Sequence, residues 1–364
     1  MAKSVNTSSS VSGLKKRGFI VAADLHANDW HEGGEPVGGI NGRLLDWCNA
    51  IREMIAYARE LDVRGIYILG DVFHLKKNIS EQVRNQVYSY FHHARDLNLI
   101  FLAGNHDREN DRYDSVTIWP FRAFANVVVE PEIDTVNDIV YVPWLYDQEK
   151  ALKFLKDQKK EREMLMFHGE LDGAEVGPTD YMLKSRYTEK SLGVGRYAQA
   201  FAGHLHKRQL VHGVFYPGSH IAKDFGELEQ DKGVLYVDPD GKVTPIMLHS
   251  PKFVVIHNAE SPDDPGINWD KIHWKHLEQE LKGNLVRIFV PHVLDPSIVK
   301  RLESCNPRYL DIRPERVDKE QMVRLQAAGS RSFKDLVEGY VMHRKIPDDL
   351  REEYVSYGIQ KLES

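Results

Sequence analysis

Cysteine is almost absent: Cys48 and Cys305 are the only two in 364 residues. So few exclude a disulfide-stapled scaffold and a thiolate metal site, and they suit a reducing compartment. Long apolar runs are missing too. None approaches the ~20 residues that cross a bilayer, and the N-terminus has no apolar signal-peptide core, so a cytoplasmic protein without membrane contact is expected. Positive charge is not in excess. The formal net charge of −6 does not advertise a nucleic-acid binder, although bound cations and a local basic surface can reverse the potential at one site. There are no internal repeats or extended low-complexity tracts. Residues 1–16, rich in Ser and Lys, read as a disordered lead-in.

Histidine, by contrast, is plentiful, with 17 residues, several of them beside Asp, Asn or Gly at the ends of apolar runs. Residues 18–23, 65–69 and 99–102 are short buried-strand patterns. Leu44, Cys48, Ile51, Ile55 and Ala58 fall at helical spacing between the first two, and residues 80–94 supply a helix before the third. This alternation predicts a sheet of parallel strands with helices on its faces. Strand-like runs follow at 126–129, 139–142, 164–167, 199–202, 210–216, 234–237 and 243–247, with few helices between the later ones. A second sheet packed on the first is expected, giving a four-layer α/β/β/α sandwich over residues 17–250. Residues 251–313 read as a small α+β domain, with strands at 253–256 and 286–290 and helices at 275–282 and 297–303. Residues 314–364 read as helices, one over 332–343 with Ser332 and Asp335 in a capping pattern and another after Pro347.

Five short groups carry the chemistry: Asp24-Leu25-His26, Gly70-Asp71 with His74, Gly104-Asn105-His106-Asp107, His168-Gly169 and Gly203-His204-Leu205-His206. Carboxylate and imidazole ligands suit manganese, iron or zinc rather than calcium, and one carboxylate can bridge two cations. Residues two apart in an extended segment point the same way, so Asp24 and His26, or His204 and His206, can reach one ion region. Each group follows an apolar run, and ligand residues gather at the carboxyl ends of parallel strands. Taken singly, Asp-x-His, Gly-Asp and a lone His are weak signals, whereas Gly-Asn-His-Asp and Gly-His-x-His after strands are stronger. A second Asp-x-His, Asp29-Trp30-His31, follows no strand. The ordered set is what carries the reading.

In that order the groups resemble the signature of the calcineurin-like metallophosphoesterases: D-x-H, G-D, G-N-H-D, H, G-H-x-H. The resemblance implies the α/β/β/α sandwich and two divalent metal ions. One would be held by Asp24, His26, Asp71 and His206, the other by Asp71, Asn105, His168 and His204, with Asp71 bridging. His106 is then left to face a phosphate, with Asp107 able to orient it. A narrower resemblance joins Gly70-Asp71-Val72-Phe73-His74, Tyr216-Pro217-Gly218-Ser219, Phe225-Gly226-Glu227 and Lys232-Gly233 to the SbcD/Mre-eleven nuclease subunits. It implies a DNA exonuclease and endonuclease of 3′ to 5′ polarity, active in DNA repair or recombination, with manganese preferred and magnesium, iron or zinc as alternatives. It also implies a role for His74 in exonuclease chemistry and a DNA-binding cap. C-terminal helices that grip an SbcC-type ABC ATPase, and a homodimer, belong to the same pattern. His220 stands where that family has Pro, and residues 27–39 depart from its pattern, which puts substrate fit in question. Protein phosphatases of the superfamily carry G-D-x-x-D-R-G and G-N-H-E, which this chain does not. A phosphomonoesterase or cyclic-nucleotide phosphodiesterase, or a non-catalytic scaffold, remain the competing readings.

Overall fold

The computed structural model describes residues 17–112, 115–176, 181–228, 230–257, 266–268, 271–290 and 294–314. The expected lead-in and C-terminal helices lie outside the described residues.

The chain begins as a β-α-β-α-β unit: β1 (Phe19–Ala22), α1 (Gly42–Glu60), β2 (Ile66–Leu69), α2 (Glu81–His93) and β3 (Leu99–Leu102). Both helices start where the sequence supplies a cap. The Asn41 side chain accepts from the amides of Arg43 and Leu44, and the Ser80 hydroxyl accepts from Val83. With β4 (Asn126–Val128), the three strands run parallel.

A second run builds the facing sheet. It contains β5 (Glu132–Asp134), β6 (Ile139–Val142), α3 (Gln148–Asp157) and β7 (Arg162–His168). A small ribbon of β8 (Glu175–Val176) and β9 (Tyr181–Met182) follows, then the short α4 (Glu189–Leu192) and β10 (Tyr197–Gly203). The expected single run at 210–216 is instead a hairpin of β11 (Gln209–Val211) and β12 (Val214–Tyr216). His212 and Gly213, at φ 47° and 81°, turn the chain in the left-handed region that two-residue hairpin loops need. The chain then returns to the first sheet with β13 (Gly233–Val237) and β14 (Val243–Met247), giving the orders β14-β13-β1-β2-β3-β4 and β11-β12-β10-β7-β6-β5.

Strand alternation makes the layers. In β1 and β2, Ile20, Ala22, Ile66 and Ile68 face Trp47, Ile51 and Phe91 of the two outer helices. The alternate residues Phe19, Val21, Tyr67 and Leu69 face Tyr141, Met164, Met166 and Phe201 of the second sheet. Val140, Val142, Leu165 and Phe167, on that sheet's other face, pack on Ala151 and Leu155 of α3. This is the expected α/β/β/α sandwich, and each fully buried large side chain contributes about 1.5–3 kcal/mol to it. Among the described residues no helix is long and apolar enough to cross a membrane.

Beyond this lies a smaller three-stranded sheet, β15 (Phe253–Ile256), β16 (Leu285–Val290) and β17 (Tyr309–Pro314), with α5 (Trp274–Leu281) and α6 (Pro296–Ser304). It closes on the segment that follows β1. Arg287 pairs with Glu32 at 3.0 Å and with Asp311 at 2.8 Å, and Arg308 reaches Asp46 at 2.8 Å. Residues 27–39, which depart from the resembled pattern, are thus partly occupied in holding this sheet.

Candidate metal centre

All five sequence groups sit just beyond strand ends on the same edge of the sandwich. Asp24 and His26 follow β1, Asp71 follows β2, and Asn105 and His106 follow β3. His168 ends β7, and His204 and His206 follow β10. The carboxyl ends of parallel strands in both sheets therefore meet there. The decoy pair Asp29 and His31 is exposed and takes no part.

Extended backbone with residues two apart, the expected cause, does not produce this convergence. Asp24, His26, Asp71 and His204 are not extended; they stand at φ 53°, 44°, 55° and 106°. Left-handed backbone at non-glycine residues costs about 1–3 kcal/mol each and persists only when neighbours enforce it. Here the two loops zip together: the Asp24, His26 and Ala27 amides donate to Gly70, Asp71 and Val72 carbonyls at 2.8–3.1 Å, and His74 donates back to Ala27 at 3.1 Å. Turning, not alternation, aims the side chains. Close approach also requires bare backbone, since a Cβ on Gly104 would collide with Asp71 Oδ1.

Asp107 also differs from the expectation. It does not orient His106. Its Oδ2 accepts from the Asp71 amide at 2.7 Å and the Gly104 amide at 2.9 Å, and its Oδ1 from Val72 at 3.0 Å and Phe73 at 3.4 Å. The carboxylate staples the Gly70-Asp71 and Gly104-Asn105 loops. Burial pushes it up to about 6, against the pull of these amides. His106 is oriented by backbone instead: its Nδ1 lies 2.6 Å from the His74 carbonyl.

Among the described residues three groups could hold a cation: Asp24 with His26 and His206, Asp71 with His168 and His204, and His26 with His74 and His106; the expected ligands make up the first two clusters. Asp71 reaches both. Its Oδ2 lies 3.5 Å from His26 Nε2 and its Oδ1 3.6 Å from His168 Nε2. His168 donates Nδ1–H to the Leu69 carbonyl at 2.7 Å, so its Nε2 lone pair is what faces Asp71 Oδ1 and, at 3.0 Å, Asn105 Oδ1. Asn105 Oδ1 is also 2.9 Å from His204 Nδ1. Burial pushes His168 down to about 3 and His26 well below its usual value, so both rings are neutral and can ligate. Burial, then Asp24 and Asp107, push Asp71 well above the carboxylate range. Acceptors turned on one another with buried like charge call for cations, and the donor set fits two divalent ions.

Several residues here carried no sequence signal of their own. The Lys223 ammonium lies 2.6 Å from His206 Nε2, a stand-in cation at that corner, and its charge helps to lower His26, His74 and His106. Trp144 stacks on His204 at 5.1 Å, and Trp30 lies against His74 at 4.2 Å. His74 and His106 stack at 5.5 Å on the open side of the first cluster. His220 is buried against Trp47, so this departure from the resembled pattern lies in the core.

Comparison with known proteins agrees with this picture. Residues 19–208, just over half of the chain, match the calcineurin-like phosphoesterase family, and the chain belongs to that family. No curated protein matches it. Among solved structures it is similar to a dimetal phosphatase from Danio rerio (11% identity, 62% of this chain, 93% of that one, TM-score 0.38). It is also similar to an archaeal phosphodiesterase (12%, 64% and 99%, TM-score 0.33) and to the Pseudomonas putida nuclease MPE (14%, 63% and 87%, TM-score 0.29). These TM-scores are low, and membership stands on the family match. The chain is therefore a metallophosphoesterase with a histidine–aspartate centre suited to two divalent ions.

Proposed function

We propose that the chain hydrolyses phosphodiester bonds of DNA, as a manganese-dependent nuclease with 3′ to 5′ exonuclease activity. The observation that carries the two-ion reading is Asp71, which turns one oxygen toward each histidine cluster. Asp24, His26, Asp71 and His206 would hold one ion, and Asp71, Asn105, His168 and His204 the other. When bound, such ions lower the pKa of water toward neutrality and neutralise phosphate charge.

The chain's own residues supply the rest. With Nδ1 engaged by the His74 carbonyl, His106 has Nε2 left to meet the substrate. Once protonated there it donates to a phosphate oxygen or gives its proton to the departing one. Burial holds His106 below its usual pKa, which makes its protonated form a stronger acid. His74, pushed down to about 4 by burial and then by His106, stacks beside it, and by the narrower resemblance it would assist exonuclease chemistry. Lys223 adds a positive charge beside the Asp24, His26 and His206 cluster.

DNA as substrate, the small three-stranded sheet as a DNA-binding cap, and C-terminal helices that bind an SbcC-type ATPase rest on the narrower sequence resemblance. The test is to compare linear duplex DNA, a small activated phosphodiester and a phosphomonoester with manganese. Hydrolysis of DNA and the diester supports the reading. Hydrolysis of the monoester alone replaces it with a phosphatase, and turnover of none indicates a scaffold.

A further inference from the structure

We propose that Glu227 is a positioning residue that sets the affinity of one of the two ions, the one assigned to Asp24, His26 and His206; this rests on the two-ion reading above. Glu227 Oε1 lies 2.9 Å from His206 Nδ1. Its Oε2 accepts from Lys232 Nζ at 2.8 Å, from Ser219 Oγ at 3.2 Å and from the Lys223 amide at 3.2 Å. Both Glu227 and Lys232 are buried. Lys232 Nζ also donates to the His206 carbonyl at 3.0 Å and to Ser219 Oγ at 2.7 Å. The imidazole and the backbone of His206 are therefore gripped by the same buried ion pair. The Ser219 amide donates to His206 O at 3.1 Å, and Ser219 bridges to Ala23, so the grip extends to the chain entering Asp24.

The chemistry follows from this arrangement. With Nδ1–H donated to a carboxylate, the His206 ring is fixed in one tautomer, and its Nε2 lone pair points to the corner shared with His26 Nε2 at 3.2 Å. In the other cluster the corresponding contacts are a neutral carbonyl and a longer, more exposed carboxylate. His168 is anchored by the neutral Leu69 carbonyl, and His204 Nε2 lies 3.7 Å from the partly exposed Glu170. A buried carboxylate with two lysines beside it is a demanding arrangement to desolvate. Its position behind one ligand, and not the others, makes its effect selective for one ion.

The test is a manganese titration of the chelator-stripped full chain, read by calorimetry and by electron paramagnetic resonance. Glu227→Gln keeps the size of the side chain but removes its charge. One binding step should weaken about 10–100-fold while the other is unchanged. Nitrogen NMR of the histidines should show His206 losing its single Nδ1–H tautomer. Because Glu227→Gln leaves Lys232 unpaired, the double variant Glu227→Gln/Lys232→Met keeps the buried charge balanced and should show the same selective loss. Equal weakening of both steps in both variants, or no weakening, overturns the proposal for Glu227 alone. A wild-type chain with only one binding step overturns the two-ion reading, and the proposal falls with it.

Discussion

Asp107→Asn tests whether the sequence or the structure assigns that residue correctly. The native carboxylate accepts four backbone amides, two on each oxygen, from Gly104, Asp71, Val72 and Phe73. An Asn side chain has one acceptor oxygen, so its NH2 group must face two of those N–H donors. Each hydrogen bond to a charged group contributes about 1.5–3 kcal/mol, so losing two costs about 3–6 kcal/mol. For a domain of this size that is a fall in Tm of roughly 10 °C. The loosened loops carry Asp71 and Asn105, so metal binding should weaken as well. Calorimetric melting in chelator, followed by manganese titration, measures both. A variant that melts within about 1 °C of the wild type, binds metal normally and loses only turnover would refute the staple. It would return Asp107 to a chemical role beside His106.

Three further outcomes follow. His106→Ser should keep metal and DNA binding but lose about 10²–10⁴-fold in turnover, and His74→Ser should impair DNA hydrolysis more than that of a small activated diester; elemental analysis and parallel rates check this, and metal loss in His106→Ser would contradict it. Burial pushes His220 down to about 3 from an ordinary 6.5. The unfolded chain thus takes up a proton in that window that the folded chain refuses, and stability falls as pH drops from 6.5 toward 3, by up to about 1.4 kcal/mol per pH unit. His220→Leu should show a shallower loss in urea melts at pH values across that window, and an unchanged slope would contradict it. If the proposed SbcC-type ATPase is a partner, deleting residues after Gln326 should leave a metal-loaded enzyme that cleaves short DNA but no longer co-purifies with that ATPase; aggregation would place those residues in the core.

Much of the centre was legible because its ligands travel in short groups, each after an apolar run whose burial makes it a strand. Asp24-Leu25-His26 and Gly203-His204-Leu205-His206 could be found that way. How they converge could not, because the left-handed turns at Asp24 and His204 are enforced by pairing with loops far away in the chain. The Asp107 staple was hidden for the same reason: its partners at 71–73 are backbone amides, which have no residue signature. Trp144 reaches the site across folds of the chain with no motif beside it, and Lys223, although it lies between the Tyr216–Ser219 and Phe225–Glu227 stretches, belongs to neither. The Phe225-Gly226-Glu227 pattern was visible as a motif, but its contact with His206 became apparent only once β10 and the loop before β13 lay side by side.

The most direct test of the central claim follows cleavage of an end-labelled linear DNA duplex with manganese, wild type beside Asp71→Asn. A neutral amide bridges two cations poorly, so the wild type should release mononucleotides while the variant releases none. Comparable cleavage by both chains would contradict the bridging role of Asp71 and the two-ion centre built around it.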